Sequence, residues 1–340
     1  MKNINIAIDT LGGDNGLVTV VKGAVTGVNQ NKNVYVHLCG PENAIKKQLS
    51  EYEYDKNRII VVNATEEITT HDHPVEAVRN KKDSSMVVAL NLVKDGTCDA
   101  FISSGNSGAI LAGGQFVVGR AKGVKRTPLA HMLPTSKEPS LLLDCGANVD
   151  VKPEVLVQFA KMGSIYMENV VGKKKPTVAI VNIGTEEEKG NALVKATIPL
   201  LKECKDINFI GCIESREIPN GKADVIVAEG FVGNTIIKLY EGLSKMLLKE
   251  IKGAMMSNFS SKIGALLIKK SLKNTLSRFN AREAGGAPLL GLKGLVVKIH
   301  GNSKEDEVIS SIKQCVEFVE KDVNGKIIEG IAEESKEETV

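Results

Sequence analysis

The chain has 340 residues, 42% of them apolar and 25% charged, and this composition excludes a disordered, collagen-like or disulfide-stapled protein. A formal net charge of +3, no tryptophan and 4% aromatic residues argue against a protein that binds nucleic acid. The six cysteines form no CxxC pair, which is typical of reduced thiols, and the sequence predicts no secretory leader. We therefore expect a globular cytoplasmic protein with a large core.

Short runs rich in Val, Ile and Leu alternate with longer helical patterns along the chain. Strands are predicted at 4–9, 34–39, 58–62, 100–103, 141–144, 177–182, 207–211, 223–228 and 295–299, and helices between them include 153–170 and 187–202. This alternation predicts an α/β fold with a mainly parallel, doubly wound sheet. No linker divides the chain, so residues 1–330 are predicted as one α/β unit and residues 331–340 as a disordered acidic tail.

Residues 232–279 keep a helical pattern for longer than a crossover between two strands needs. Apolar residues recur at intervals of three and four, with a break at Ser257–Asn258, which predicts a protruding basic amphipathic helical hairpin. We expect contacts with a membrane or a carrier protein from Lys245, Lys249, Lys252, Lys262, Lys269 and Lys270. The pattern leaves two functions open, a dimer interface with a solvated lysine face and binding of an anionic membrane or an acidic protein.

Polar and glycine-rich segments follow five predicted strands, where ligands bind in doubly wound sheets. They contribute Asp9, Gly12, Gly13, Asp14, Ser104, Gly105, Asn106, Ser107, Gly108, Asp144, Asn148, Asn182, Gly184, Lys189, Glu229, Gly233 and Asn234. Five such segments converging on one rim favour a small-ligand site. The Ser104–Gly108 turn is equally compatible with an oxyanion site and with a capped strand–helix turn.

Several other chemistries are disfavoured by the sequence. The first strand is not followed by GxGxxG, residues 286–294 depart from a P-loop, and GxSxG is absent. His71 and His73 have no third metal ligand at a suitable spacing, so we expect neither a metal nor a cofactor. Cys145 is interpreted as a small buried residue rather than a nucleophile, and His73 and His300 are more often structural in such positions.

Eight segments, in chain order, carry a specific resemblance. They are IAIDTLGGD, HDHPVEAVRNKKDSSMVVAL, DAFISSGNSGAILAGG, LLLDCGANVD, NIGTEEEKGN, EGFVGNTIIK, REAGGAPLLGLKG and IHGNS. Together they resemble the bacterial phosphate acyltransferases (the PlsX family), which are acyl-acyl-carrier-protein:phosphate transacylases of phospholipid synthesis. The resemblance covers nearly the whole chain. Glu229 departs from the aspartate common in the family, which puts its contact distances in doubt.

The resemblance implies a three-layer α/β/α sandwich of two intertwined halves, similar to isocitrate and isopropylmalate dehydrogenases, assembled as a homodimer. It implies transfer of a long acyl chain from acyl-acyl-carrier protein to inorganic phosphate, with the acyl phosphate passing to a membrane glycerol-3-phosphate acyltransferase. It also implies peripheral association with the membrane.

For this reaction we expect phosphate at the Ser104–Gly108 turn, Lys189 as a mobile countercharge, and Asn182 or Asn234 at the developing oxyanion. His73 is a candidate proton carrier. The alternatives are a hydroxy-acid dehydrogenase, an acetyl-CoA:phosphate transacylase and a non-catalytic membrane scaffold.

Overall fold

Strands and helices alternate throughout the computed structural model, which describes residues 2–277 and 285–337. The strands are β1 (Ile4–Asp9), β2 (Val34–Gly40), β3 (Ile59–Asn63), β4 (Ala100–Ser103), β5 (His131–Leu133), β6 (Ser140–Leu143), β7 (Thr177–Asn182), β8 (Asn208–Glu214), β9 (Val225–Val227), β10 (Ala287–Leu289) and β11 (Leu295–Lys298). The α-helices are α1 (Gly16–Gln30), α2 (Glu42–Leu49), α3 (Pro74–Asn80), α4 (Ser85–Lys94), α5 (Ser107–Gly113), α6 (Pro153–Tyr166), α7 (Ala192–Glu203), α8 (Gly230–Met256), α9 (Phe259–Ser277), α10 (Glu305–Glu320) and α11 (Val323–Glu337). All the predicted strands are confirmed within a few residues, whereas β5 and β10 were not predicted.

The strands form two sheets rather than one. One sheet has the order β10-β11-β4-β1-β2-β3 and the other has the order β5-β6-β9-β7-β8. Neighbouring strands are parallel except at one edge of each sheet, where β10 pairs with β11 and β5 with β6 in antiparallel fashion. The last two strands of the chain thus return to the sheet that β1 to β4 begin.

The two sheets are joined at their antiparallel edges by backbone hydrogen bonds. The amide of Ala130 donates to the carbonyl of Pro288 at 3.0 Å, and the amide of Leu290 donates to the carbonyl of Pro128 at 3.1 Å. Leu129 and Leu289 form an antiparallel bridge between these bonds. This junction brings the segment before β5 against β10 although they are far apart in sequence.

Successive residues of the buried strands face opposite layers of helices, as the strand periodicity requires. Ile6 and Ile8 of β1 belong to one buried cluster, which also includes residues of α1 and α10, while Ala7 belongs to a second cluster with α4 and α5. In β4, Ile102 lies in the first cluster and Phe101 in the second. The protein is therefore a three-layer α/β/α structure with a mainly parallel arrangement of strands.

The predicted helical hairpin is confirmed as α8 followed by α9, up to the end of the described part of α9 at Ser277. The hairpin turns at Ser257 and Asn258, where the Asn258 side chain accepts a hydrogen bond from the amide of Ser261 at 2.9 Å. Its remaining predicted residues, 278 and 279, lie outside the described residues. None of the helices in the described ranges combines the length and apolar character needed to cross a bilayer.

Two helix bounds differ from those predicted. The helix predicted at 187–202 begins at Ala192, because Asn191 caps it by accepting a hydrogen bond from the amide of Val194 at 2.9 Å. At the C-terminus, where a disordered tail is predicted, α11 extends to Glu337 and Ile331 is fully buried. Residues 338–340 lie outside the described ranges.

Candidate functional site

The end of β1 is fixed by a buried carboxylate. Asp9 accepts hydrogen bonds from the hydroxyls of Ser85 at 2.6 Å and Ser103 at 2.7 Å, and it is 1% exposed. Burial raises its pKa, although the two hydroxyls act in the opposite direction. Asp9 therefore links the end of β1 to β4 and to α4, which fixes the position of these strand ends.

The glycines after β1 allow close approach of three strand ends. A side chain on Gly12 would lie 2.6 Å from the amide nitrogen of Gly105. Gly13 has φ of +85°, a conformation that favours glycine, and an added Cβ would lie 2.6 Å from the carbonyl oxygen of Gly301 and from the hydroxyl of Ser104. The amide of Asp14 donates to Gly301 at 2.6 Å, so the segments after β1, β4 and β11 meet here.

The Ser104–Gly108 turn is held mainly by its own side chains. The Ser104 hydroxyl donates to the carbonyl of Gly12 at 2.6 Å. Asn106 accepts from the amide of Ala109 at 3.1 Å, which caps α5, and its amide group donates to the carbonyl of Thr69 at 3.0 Å. Among the residues of this turn, only Ser107 lines the pocket described below.

Asp144 organises the end of β6 in the second sheet. Its carboxylate accepts from the amides of Leu129 at 2.9 Å, Ala147 at 3.1 Å and Asn148 at 2.6 Å. Burial raises the pKa of Asp144, and these donors offset part of that effect. The Asn148 side chain donates to Asp144 and to the carbonyl of Thr127, each at 2.9 Å. Both residues therefore hold the backbone that frames the pocket.

The start of α8 lies directly against the end of β6. Glu229 caps the helix, because its carboxylate accepts from the amide of Phe231 at 2.5 Å and from the amide of Val232. The longer glutamate side chain thus makes contacts suited to a helix cap. Gly233 lies so close to Asp144 that an added Cβ would be 1.9 Å from its carbonyl oxygen. This packing places Asn234 at the pocket.

Asn182 is the last residue of β7 and Lys189 lies in the loop that follows, and neither lines the pocket described below. The Asn182 amide donates to the carbonyls of Glu186 and Lys189 at 3.1 Å each, so it closes the loop. Lys189 is exposed, pairs with Glu186 at 3.0 Å, and packs over Gly184. His73, also outside the pocket, is exposed at the start of α3. The catalytic roles predicted for these three side chains stay predictions.

A pocket of about 190 Å³ lies where β11, β4 and β6 end beside α8, next to the junction of the two sheets. We call it the central pocket. Its polar lining comprises Ser107, His131, Asn234, Lys238, Glu241, Lys298 and His300. Ser107 and Asn234 were predicted as site residues, whereas the other five were not. Lys298, the charged residue at the end of the apolar strand β11, could have indicated a functional site from the sequence.

Cys145 also lines the central pocket, but its environment does not favour a nucleophilic thiolate. Its thiol donates to the carbonyl of Leu142 at 3.1 Å. Burial, and then the nearby charge of Asp144, raise the pKa of this thiol well above its ordinary value. These contacts favour the predicted structural role for Cys145.

Acid is expected to destabilise the protein through His131. Burial, and then the charge of His300, lower the pKa of His131 from 6.5 to about 4, so between these values the unfolded chain binds a proton that the folded chain does not. The free energy of unfolding should therefore fall as the pH drops through this range, by up to about 3 kcal/mol. Urea denaturation at several pH values measures this, and His131→Gln should flatten the curve. A variant curve parallel to that of the wild type would contradict the prediction.

The hairpin presents both charged and apolar side chains to solvent. The six lysines predicted to contact a partner are all exposed. Large apolar side chains are exposed beside them, including Leu243, Met246 and Leu247 on α8 and Leu266 and Leu267 on α9. Large apolar side chains exposed in such number on one hairpin are typical of a contact with another molecule or a membrane.

Comparison with known proteins identifies relatives over almost the whole chain. The family model described as "Fatty acid synthesis protein" matches residues 4–326. A phosphate acyltransferase of Clostridium perfringens (strain SM101) is 47% identical over 332 residues, which cover 98% of each chain. A phosphate acyltransferase of Clostridium botulinum (strain Alaska E43) is 48% identical over 325 residues, covering 95% of this chain and 98% of the relative.

Solved structures show the same fold at lower sequence identity. The EutD phosphotransacetylase from Staphylococcus aureus superposes with a TM-score of 0.59 at 16% identity, covering 93% of this chain and 94% of its own. A branched-chain phosphotransacylase from Enterococcus faecalis V583 gives a TM-score of 0.57 at 13% identity, covering 93% and 99% respectively.

Proposed function

Because the chain belongs to the fatty acid synthesis protein family, whose close relatives are phosphate acyltransferases, we propose that it moves a long acyl chain from acyl-acyl-carrier protein to inorganic phosphate. The family carries out acyl transfer in lipid synthesis. In this proposal the product is an acyl phosphate. A membrane glycerol-3-phosphate acyltransferase then uses it to make phosphatidic acid.

The observation that carries the proposal is the set of basic and amide side chains around the central pocket. Lys238, Lys298, His300 and Asn234 can surround an anion whose oxygen attacks a thioester carbonyl. Phosphate is itself the nucleophile in this reaction, so no activated serine or cysteine is needed. The buried, protonated state of Cys145 is consistent with that chemistry.

Of the predicted site residues, some lie in the central pocket and others lie outside it. Asn234 and Ser107 line the central pocket and can donate to phosphate or to the oxyanion of the thioester carbonyl. Ser107 belongs to the Ser104–Gly108 turn, which the side chains of Ser104 and Asn106 hold in place. Lys189 lies on an exposed loop and would need to exchange its Glu186 partner for a substrate anion to act as a countercharge.

The hairpin is proposed to bring the macromolecular substrate and the membrane to the pocket, because α8 contributes both to the pocket and to the exposed surface. Its lysines can attract an acidic carrier protein and anionic lipid, while its apolar side chains can contact the bilayer surface or a second copy in a homodimer. Peripheral association with the cytoplasmic side of the membrane follows from this arrangement.

The test is phosphate-dependent release of free carrier-protein thiol from palmitoyl-acyl-carrier protein, measured beside palmitoyl-CoA and acetyl-CoA. We expect release that requires phosphate and is fastest with the carrier-protein thioester. With rising salt the KM for this donor should increase, because screening weakens docking to the lysines. Faster release from acetyl-CoA would assign an acetyltransferase activity instead, and release without phosphate from every donor would refute the proposal.

A further inference from the structure

His300 is held in one orientation by a buried carboxylate. It directly follows Ile299 at the end of β11, and its Nδ1 lies 2.6 Å from Oε1 of Glu307 on α10. The same oxygen accepts a hydrogen bond from the backbone amide of His300 at 3.0 Å. The Glu307 side chain is fully buried. One carboxylate oxygen of Glu307 therefore holds both the ring and the backbone of His300.

The contact with Glu307 also decides which ring nitrogen carries the proton. Burial acts to raise the pKa of Glu307, but its hydrogen bonds with His300 and the charge of that ring outweigh burial and lower it. An ionised carboxylate can only accept, so Nδ1 of His300 must donate. In the neutral ring Nε2 then holds the lone pair.

The Nε2 side of His300 faces the central pocket. Oε1 of Glu241 on α8 lies 3.6 Å from Nε2, close enough for an ion pair with a protonated ring but too far for a hydrogen bond. The ring of His131 on β5 packs edge-on at 6.1 Å between ring centres. Lys238 on α8 and Lys298 on β11 line the same pocket. Nε2 is thus left able to accept a proton from a molecule in the pocket.

The two lysines give the pocket an affinity for an anion. Burial, and then repulsion from Lys238, lower the pKa of Lys298, so a negatively charged ligand between them would relieve both effects. Glu241 pairs with Lys238 at 3.3 Å and balances part of this charge. With Lys238 balanced in part by Glu241, Lys298 is the lysine of the pocket that remains to pair with a phosphate oxygen.

We propose that His300 is the base that deprotonates inorganic phosphate, that Glu307 positions it, and that Lys298 binds the phosphate. This inference rests on the proposed function and assigns its proton transfer. The hydroxyl of hydrogen phosphate gives its proton to Nε2 of His300, and that oxygen forms a bond to the thioester carbonyl carbon. The carbon–sulfur bond then breaks, and the departing thiolate takes the proton back from Nε2. The products are acyl phosphate and carrier-protein thiol, with His300 neutral again.

The decisive variant is His300→Asn, because its side-chain amide can keep the donor to Glu307 while removing the base. We expect kcat for phosphate-dependent thiol release to fall about 100-fold or more, with a smaller change in the KM for phosphate. His300→Ala should lose as much and recover part of its kcat when imidazole is added. His37→Gln, on β2 in the same sheet and outside the central pocket, is the matched control and should leave kcat unchanged.

Different measurements test Glu307, which positions His300, and Lys298, which binds phosphate. Glu307→Gln should lower kcat about 10- to 100-fold and change the shape of the pH–rate profile, since Nδ1 loses its ionised acceptor. Lys298→Met should weaken the binding of inorganic phosphate, followed by its ³¹P resonance without any acyl donor, whereas Lys293→Met on the exposed turn before β11 should not.

The outcomes separate this inference from the function on which it rests. If the wild-type protein releases thiol with phosphate but His300→Asn retains its kcat, His300 is structural and the inference is overturned. If the wild-type protein shows no phosphate-dependent release, the proposed function fails. The ³¹P measurement then still reports whether Lys298 belongs to an anion site. If His300→Ala does not fold, His300→Asn decides the matter.

Discussion

Replacing Gly233 with alanine is expected to lower the free energy of unfolding by about 2–3 kcal/mol. The added methyl group would lie 1.9 Å from the carbonyl oxygen of Asp144, a backbone atom that cannot rotate away. To relieve this overlap, α8 would have to move from the end of β6. Asn234 would move with it and leave the central pocket, so activity should fall as well. Urea denaturation and the thiol-release assay measure the two effects.

Gly242→Ala is the matched control for this substitution. Gly242 lies on the same helix, is exposed, and has no neighbouring atom within 4 Å of an added Cβ. Alanine is the better helix former, so this variant should be more stable than the wild type by up to about 1 kcal/mol. Alanine at Gly233 and alanine at Gly242 should therefore change the stability with opposite signs. A Gly233→Ala protein as stable as Gly242→Ala would show that α8 can shift at no cost.

The second large effect is expected for Asp144→Asn, with a loss of about 3 kcal/mol in the free energy of unfolding. Both carboxylate oxygens accept hydrogen bonds, among them those from the amides of Leu129 and Asn148. An asparagine keeps one acceptor oxygen and turns an NH₂ group toward the donors on the other side. Buried amides would be left unpaired, and the backbone at Leu129 and Gly146, which lines the central pocket, would shift.

Asp95→Asn provides the control for the same chemical change at the surface. The Asp95 carboxylate accepts from the amide of Thr97 at 3.0 Å, but the residue is exposed and outside the central pocket. Water can replace the lost acceptor, so the change in stability should stay within about 0.5 kcal/mol. Equal effects for the two substitutions would mean that the contacts of Asp144 contribute little to the fold.

The fold class, most strand positions and the hairpin could be predicted because they depend on local patterns. Runs such as 4–9 and 177–182 are apolar enough to be strands wherever they lie in the sheet, and the spacing of apolar residues in 232–256 is that of a helix. The eight ordered segments identified the family, and the comparisons confirmed it. The edge strands β5 and β10 are each three residues long, too short for a periodic pattern to reveal.

The residues that line the central pocket could be predicted only in part from the sequence. The polar strand ends were expected to converge on one site, and of the residues named for it Ser107 and Asn234 line the pocket. Which of the other strand ends reach it depends on the order of strands in each sheet. The end of β7, with Asn182 and Lys189, lies farther along the second sheet than the end of β6. The catalytic assignments to these residues stay predictions.

The amino-acid sequence by itself determined the alternating α/β elements, the glycine-rich strand ends and the family, since each is written in neighbouring residues. Only the tertiary structure decided that His131, Glu241, Lys298 and His300 share one pocket. They come from β5, α8 and the end of β11, and the hydrogen-bonded junction between the two sheets brings these segments together. Periodicity records which face of an element is buried, whereas contacts between distant segments follow from strand order and packing, which no single segment specifies.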